Sequence, residues 1–385
     1  MRDKLRDKLA YETLVIGLAT LTLMACGMSK KSPTNTENAK FGLDGDFGSE
    51  KTMDNPPFYE DNPTYVSDKV VDWQVSTPEA QKVDPALLDA AATQVGSLAQ
   101  NFSFLVIRNG KLIKESYFNG SAANQSNNIH SASKGMIGAL VGIAIDEGVI
   151  QGVNGRLVDV LPRKKITDAT KKTITTQDLL TMSGGWKWTE DSTEYTIQDS
   201  KDWSQAILDL PLKGQPGKKF NYCTGQTHLL STVLTEMTGG STSAYATEKL
   251  FGPLGIGFEH WGQDPQGVNS GGYNLYMTPR ALARFAWMMA EGGEFAGKQI
   301  VPESWVATSW ESAQKVDNQY TYGYLWWLIN IGGHDVKKLW GYGGQFALVI
   351  PDFNALVVIT ANTARDFSEM DADQFLADYI MPAMH

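Results

Sequence analysis

Small residues recur through one apolar stretch of the chain, where Gly135, Gly138, Ala139, Gly142 and Ala144 alternate with Met136, Ile137, Leu140, Val141 and Ile143. A helix of that composition has no polar face, so it is expected to be buried on most sides, with its small residues letting other elements approach closely. The rest of the chain must be organised around it. At its head stands Ser131-Ala132-Ser133-Lys134. Residues three apart share a helical face, so the Ser131 hydroxyl and the Lys134 amine can meet. Burial strips the lysine of hydration and the positive helix end disfavours its charge, which makes a neutral amine attainable near neutral pH. Such an amine can take the serine proton and leave a nucleophile. A polar pair at the mouth of a buried helix is costly unless it has a task.

Ser-x-x-Lys occurs a second time, at Ser312-Ala313-Gln314-Lys315, but among Glu311, Gln314, Asp317 and Asn318, a run expected to face water. A formal charge of -10 argues against nucleic acid as a partner. The 385 residues, 42% hydrophobic and 20% charged, suit a globular protein of one large or two ordinary domains.

The first residues read differently. Arg2, Lys4, Arg6 and Lys8 precede an apolar run from Leu14 to Ala25. That run is shorter than the ~20 residues a spanning helix needs, which makes 1–25 a signal peptide. Its end, Leu23-Met24-Ala25-Cys26-Gly27, resembles the lipobox of bacterial lipoproteins. That resemblance implies lipidation of Cys26 and an exported protein anchored on a membrane, facing the periplasm or cell exterior. Cys223 is the other cysteine, so a chain lipidated at Cys26 has no disulfide open to it. Residues 26–70 are rich in Ser, Lys, Asn, Asp, Gly and Pro without an apolar period, and read as a flexible tether.

The folded part is expected over 71–385, with a sheet part at 71–120 and 302–385 and a helical part at 121–301. Pro85 to Leu98 reads as a helix with Pro85 in its first turn and Leu87, Leu88, Ala91 and Val95 on one face. Ser103 to Arg108 and Leu112 to Phe118 flank Asn109-Gly110, a hairpin signal. Late strands are expected at 322–329, 346–350 and 356–360, with a turn at Pro351-Asp352-Phe353-Asn354 and a closing helix from Asp371 to Ile380. The fold class is therefore α/β (α+β): an antiparallel sheet flanked by N- and C-terminal helices, a large helical subdomain, and a cleft between them.

Two further stretches complete a candidate site. Tyr222, in Asn221-Tyr222-Cys223-Thr224-Gly225, precedes a helix carrying Leu229, Leu230, Val233 and Leu234. A phenol beside an ammonium can be depressed toward phenolate and serve as acid or base. Trp340-Gly341-Tyr342-Gly343-Gly344-Gln345-Phe346 leads into a strand, where glycines allow close approach of backbone and strand N–H groups can face a developing oxyanion.

Ser131-x-x-Lys134, Tyr222-Cys223-Thr224 and the glycine-rich lead resemble, in order and spacing, the three motifs of serine β-lactamases and penicillin-binding proteins. Among class C-like members the resemblance is strongest to 6-aminohexanoate-dimer hydrolases and related esterases, and spans roughly 72 to 382. It implies Ser131 as nucleophile, Lys134 as its base, Tyr222 as proton donor to the leaving group, and an oxyanion hole from the backbone N–H groups of Ser131 and Gln345. No cofactor or metal is implied. Trp186, Trp188, Tyr342, Gly343 and Gly344 are candidates for lining the acyl pocket. Thr224 stands where that family has asparagine, and Tyr342 where it has lysine or histidine. The missing cation shifts the expected substrate from β-lactams toward small neutral amides and esters. A penicillin-binding sensor or a D-alanyl-D-alanine carboxypeptidase is the alternative.

A Ser-His-Asp hydrolase fits less well. His130 adjoins Ser131, but helix neighbours diverge by about 100°, and no Gly-x-Ser-x-Gly elbow occurs. His228, His260 and His334 lack metal-ligand spacing.

Overall fold

The computed structural model describes Tyr65 and residues 72–190, 192–363 and 369–384. The signal peptide, Cys26 and almost all of the proposed tether lie outside the described residues.

A nine-stranded sheet forms one half of the structure. Its strands are β1 (Gln74–Val75), β2 (Asn101–Arg108), β3 (Lys111–Tyr117), β4 (Gln314–Lys315), β5 (Tyr320–Tyr322), β6 (Trp327–Ile331), β7 (His334–Gly341), β8 (Gln345–Ile350) and β9 (Ala355–Ala361). Their order is β1-β3-β2-β9-β8-β7-β6-β5-β4. Every pairing is antiparallel except that of β1 with β3. The β2–β3 turn places Asn109 and Gly110 at φ of 51° and 74°, the left-handed pair that a two-residue hairpin needs. Asn354, also left-handed at φ 44°, closes the β8–β9 turn and donates its side-chain amide to Asn109 at 3.1 Å.

The principal helices are α1 (Pro85–Gly96), α2 (Lys134–Asp146), α3 (Ser192–Gln198), α4 (Trp203–Asp209), α5 (Thr224–Thr238), α6 (Pro279–Ala290), α7 (Glu303–Ser309) and α8 (Ala372–Phe375), the last continued by a π turn at Leu376–Ile380. Asp84 caps α1, accepting from the Ala86 and Leu87 N–H groups, with Pro85 in the first turn. Helix α1 and the C-terminal helix cover one side of β2, where Phe104 meets Phe375 edge-on at 5.9 Å. Helix α6 packs against β9, β8 and β2.

Helix α2 is buried from Lys134 to Ala144, and its glycines admit neighbours closely. A Cβ on Gly135 would stand 2.6 Å from Leu339 of β7, and one on Gly142 would stand 2.4 Å from Trp305 of α7. The Trp305 indole donates to the Gly138 carbonyl at 3.0 Å.

Three details depart from the sequence expectation. The strand expected at 322–329 is two strands, broken at Gly323-Tyr324-Leu325-Trp326, where Leu325 turns left-handed at φ 64°. Strand β7 went unrecognised because His334, Asp335, Lys337 and Lys338 interrupt its apolar pattern. The region between the two sheet parts also holds a small sheet, with Leu275–Met277 between Asn127–Asn128 and His260–Trp261.

Candidate active site

Ser131 lies in a short 3-10 turn, His130–Ser133, that runs into α2 and leaves Lys134 as the helix's first residue. Ser131 is partly exposed, whereas its neighbours from Ile129 to Leu140 are buried. The Lys134 Nζ sits 2.7 Å from Ser131 Oγ and 3.2 Å from the Gly272 carbonyl oxygen. Burial pulls the lysine down to about 8, opposed first by the charge of Glu190. The helix N-terminus acts in the same direction as burial. A partly exposed serine hydroxyl against a buried, readily deprotonated amine is an arrangement that can serve as a nucleophile with its base.

Tyr222 joins this pair. Its ring lies 5.1 Å from Lys134 Nζ and its side chain hydrogen-bonds Ser131. It stacks on Trp327 at 5.3 Å and meets Tyr322 edge-on at 6.4 Å, an aromatic bed that fixes where the hydroxyl points. The expected phenolate is not what this environment favours. Burial and the charge of Glu190 raise Tyr222 above the ordinary phenol range, outweighing the Ser131 hydrogen bond. Tyr222 is thus a protonated phenol, able to give a proton rather than take one.

Two buried carboxyl groups complete the floor, and neither was singled out from the sequence. Glu190 accepts from the Trp188 indole at 2.5 Å, from the Thr224 N–H at 2.7 Å and from the Thr224 hydroxyl. It thereby caps α5, whose own N-cap residue, Cys223, makes no side-chain cap. Threonine at 224 therefore serves as a partner for Glu190. Glu194, 4% exposed, is pushed up to about 8 by burial and by Glu190, against hydrogen bonds from Tyr273 and Gln198 and the charge of Lys134. The signal available was Trp188-Thr189-Glu190, an acid placed against a large aromatic. The Ser270-Gly271-Gly272 loop was also missed. A Cβ on Gly272 would fall 2.8 Å from Lys134 Nζ, and one on Gly271 would fall 2.0 Å from the Thr227 carbonyl oxygen.

The glycine-rich segment joins β7 to β8. Gly341 faces Gln345 across the hairpin and presses on the nucleophile turn, where a Cβ would come within 2.3 Å of the Ile129 oxygen and 3.1 Å of the Ala132 nitrogen. The Gln345 side chain is spent on Ala361, donating at 2.7 Å and accepting at 3.1 Å. Gly343 and Gly344 are left-handed at φ 78° and 96°, and Tyr342, half-buried, meets His130 edge-on at 5.7 Å. His130 is buried, with Nε2 3.2 Å from the Thr363 hydroxyl. Trp186 is 1% exposed and packs over Gly184 in the core, and Trp188 is likewise buried. Ser312 and Lys315 are both exposed. Among the described residues no three His, Cys, Asp or Glu side chains are grouped to hold a metal ion.

The profile of the Beta-lactamase family matches residues 94–379. A 6-aminohexanoate-dimer hydrolase of Paenarthrobacter ureafaciens is 24% identical over 310 residues, covering 70% of this chain and 76% of that protein. Among solved structures, one from Bacillus anthracis, named as a candidate 6-aminohexanoate-dimer hydrolase, superposes with a TM-score of 0.68 at 20% identity, over 84% of this chain and 90% of its own. A hydrolase with promiscuous acyltransferase activity superposes with a TM-score of 0.62 at 13% identity, over 78% and 98%. The chain belongs to the Beta-lactamase family and is a serine hydrolase.

Proposed function

We propose that the protein hydrolyses neutral amides or esters through an acyl-enzyme on Ser131. The 2.7 Å contact between Lys134 Nζ and Ser131 Oγ, made by a lysine 1% exposed, carries this reading. Neutral Lys134 takes the Ser131 proton as Oγ attacks the carbonyl carbon. Backbone N–H groups of Ser131 and Gln345 receive the oxyanion. Tyr222 gives its proton to the departing amine or alcohol and regains one from the Lys134 ammonium. Water then cleaves the acyl-enzyme and restores Ser131.

Two features favour a neutral acyl donor over a carboxylate-bearing one. Tyr342 holds the place of the family's third-motif cation, and the nearby Lys338 is 2% exposed, bound to Asp373 and packed on Trp340. Glu190 lies beneath the site and its charge acts on both Lys134 and Tyr222. The similarity to a 6-aminohexanoate-dimer hydrolase makes short linear amides the first substrates to try.

The test is a panel of p-nitrophenyl esters, linear amides including 6-aminohexanoate dimer, and a β-lactam, read by turnover and by intact mass of the acylated protein. Steady turnover of an ester or amide is expected, lost by about 10³-fold or more in Ser131→Ala and strongly slowed in Tyr222→Phe. A single stoichiometric burst without turnover, or inactivation by Ser312→Ala instead, would overturn the reading. The basic start, apolar run and Leu23-Met24-Ala25-Cys26 support a lipid anchor on Cys26, which labelled fatty acid incorporation lost in Cys26→Ser would test.

A further inference from the structure

The residue before the nucleophile has no role in the acyl transfer described above, yet two other segments of the chain converge on its side chain. His130 is left-handed at φ 44°, with its N–H fixed by the Asn128 side-chain oxygen at 3.0 Å. Its ring does not join the pair of Ser131 and Lys134. Nε2 lies 3.2 Å from the hydroxyl of Thr363, just past β9, and Nδ1 is buried with no partner among the described residues. The ring meets Tyr342, in the β7–β8 turn, at 5.7 Å with the two planes 75° apart. Thr363 in turn presses on the next residue of that turn, since a Cβ on Gly343 would fall 2.3 Å from Thr363 Cγ2. The contacts close a circle: His130 on Tyr342, Gly343 on Thr363, and Thr363 on His130. Nucleophile turn, hairpin turn and the end of β9 are therefore held as one unit, with Tyr342 against the residue that carries the serine.

A ring in this place is uncharged. It is 2% exposed, and one of its nitrogens has nothing among the described residues to receive a second proton. Burial, and after it the charge of Lys134, hold His130 down at about 3, in agreement. Its contact with Tyr342 is thus one between two neutral rings in an edge-to-face arrangement, a pairing favoured beyond the area it buries.

We propose that His130 is a specificity-determining positioning residue, which through its contact with Tyr342 and its bond to Thr363 holds the Tyr342 ring as an uncharged wall of the acyl pocket. The proposal rests on the reading of Ser131 as a nucleophile toward neutral amides and esters. Tyr342 stands where the family carries a cation. Seated by a neutral imidazole, it gives a carboxylate nothing to pair with and gives an apolar acyl chain a surface already in position. A ring free to swing would subtract its own ordering cost from the affinity.

The experiment compares two substrates of the full chain, p-nitrophenyl butyrate and the mono-p-nitrophenyl ester of succinic acid, whose acyl groups differ in a methyl against a carboxylate. His130→Asn is the informative variant, because asparagine tolerates the left-handed backbone while the ring that touches Tyr342 is lost. KM for the butyrate is expected to rise about three- to tenfold with kcat held within about twofold, and the neutral-over-anionic ratio of kcat/KM to fall by a similar factor. Made in a Tyr342→Leu background, the same substitution should have little further effect on that ratio, since its route to the substrate is already gone. Thr363→Val frees Nε2 but keeps a methyl against Gly343. It should shift the ratio the same way by a smaller factor, and it replaces His130→Asn in the cycle should that variant not fold. A fall in kcat shared equally by both esters at unchanged KM would overturn the proposal, since His130 would then support the nucleophile turn alone. Effects of His130→Asn and Tyr342→Leu that multiply independently would overturn it as well. Failure of the underlying reading looks different: a wild type that turns over neither ester, or prefers the succinate, would remove that reading before any variant is made, and this proposal with it.

Discussion

Glu190 ties the floor of the site to the helix that delivers Tyr222. Three donors converge on its carboxylate, two of them from Thr224, and its charge raises both the Lys134 amine and the Tyr222 phenol. Thr224→Val keeps the shape but withdraws one donor from a buried charge. A loss of about 1–3 kcal/mol in stability is expected, seen as a lower urea midpoint. Glu190→Gln should in addition move the acid limb of the ester profile to lower pH, since it removes a charge that favours the Lys134 ammonium. A profile unchanged in Glu190→Gln would mean that the carboxylate acts on α5 alone. Ser131, Lys134 and Tyr222 were legible in the sequence because motif spacing brings them forward. Glu190 and Glu194 were not, because acids between Thr189 and Thr196 ordinarily face water, and only the bonds of Glu190 to Trp188 and Thr224 and the burial of Glu194 show them turned inward.

The hairpin of β7 and β8 shows how an element can position chemistry without contributing a reactive side chain. Gly341 lets β7 lie against the Ile129–Ala132 turn, so that strand and nucleophile keep a fixed relation. Gly341→Ala would set a methyl 2.3 Å from the Ile129 carbonyl oxygen, a distance that only backbone movement can relieve. The expected outcome is a loss of more than about tenfold in kcat/KM, greater than the accompanying fall in Tm suggests, because displacement of the proposed oxyanion donors by even ~1 Å is costly. Equal loss of activity and of folded protein would show that Gly341 matters for folding only. Hairpin β2–β3 could be read from Asn109-Gly110, and α1 from Pro85 and the apolar face of Leu87, Leu88, Ala91 and Val95. Strand β7 could not, since a lysine at 338 belongs to water until one knows that Asp373, Tyr320 and Trp340 enclose it.

Across the whole molecule, three buried groups of the site region set a pH dependence of stability. His130 is lowered from 6.5 to about 3 by burial and by Lys134, Glu194 is raised from 4.5 to about 8, and Lys134 is lowered from 10.5 to about 8. Stability rises with pH wherever the unfolded chain binds more protons than the folded one. His130 therefore adds stability as pH rises from 3 to 6.5, being charged over that range only when unfolded. Glu194 removes stability from 4.5 to 8, where the folded chain alone keeps its proton. Lys134 adds stability again from 8 to 10.5, where the folded amine is already neutral. The first two contributions oppose each other up to 6.5, leaving a net fall between 6.5 and 8 and a recovery above. At about 1.4 kcal/mol per pKa unit, that fall is on the order of 2 kcal/mol. Urea midpoints measured from pH 5 to 10 should show a minimum near pH 8 in the wild type and no descending limb in Glu194→Gln. Above pH 9 the buried Cys223 thiol, which burial keeps protonated in the folded state, works against the recovery. The telling interval is therefore pH 8 to 9. A wild-type stability that falls there as steeply as it does below 8 would mean that Lys134 remains charged in the folded state, and with it the proposed base would lose its physical ground.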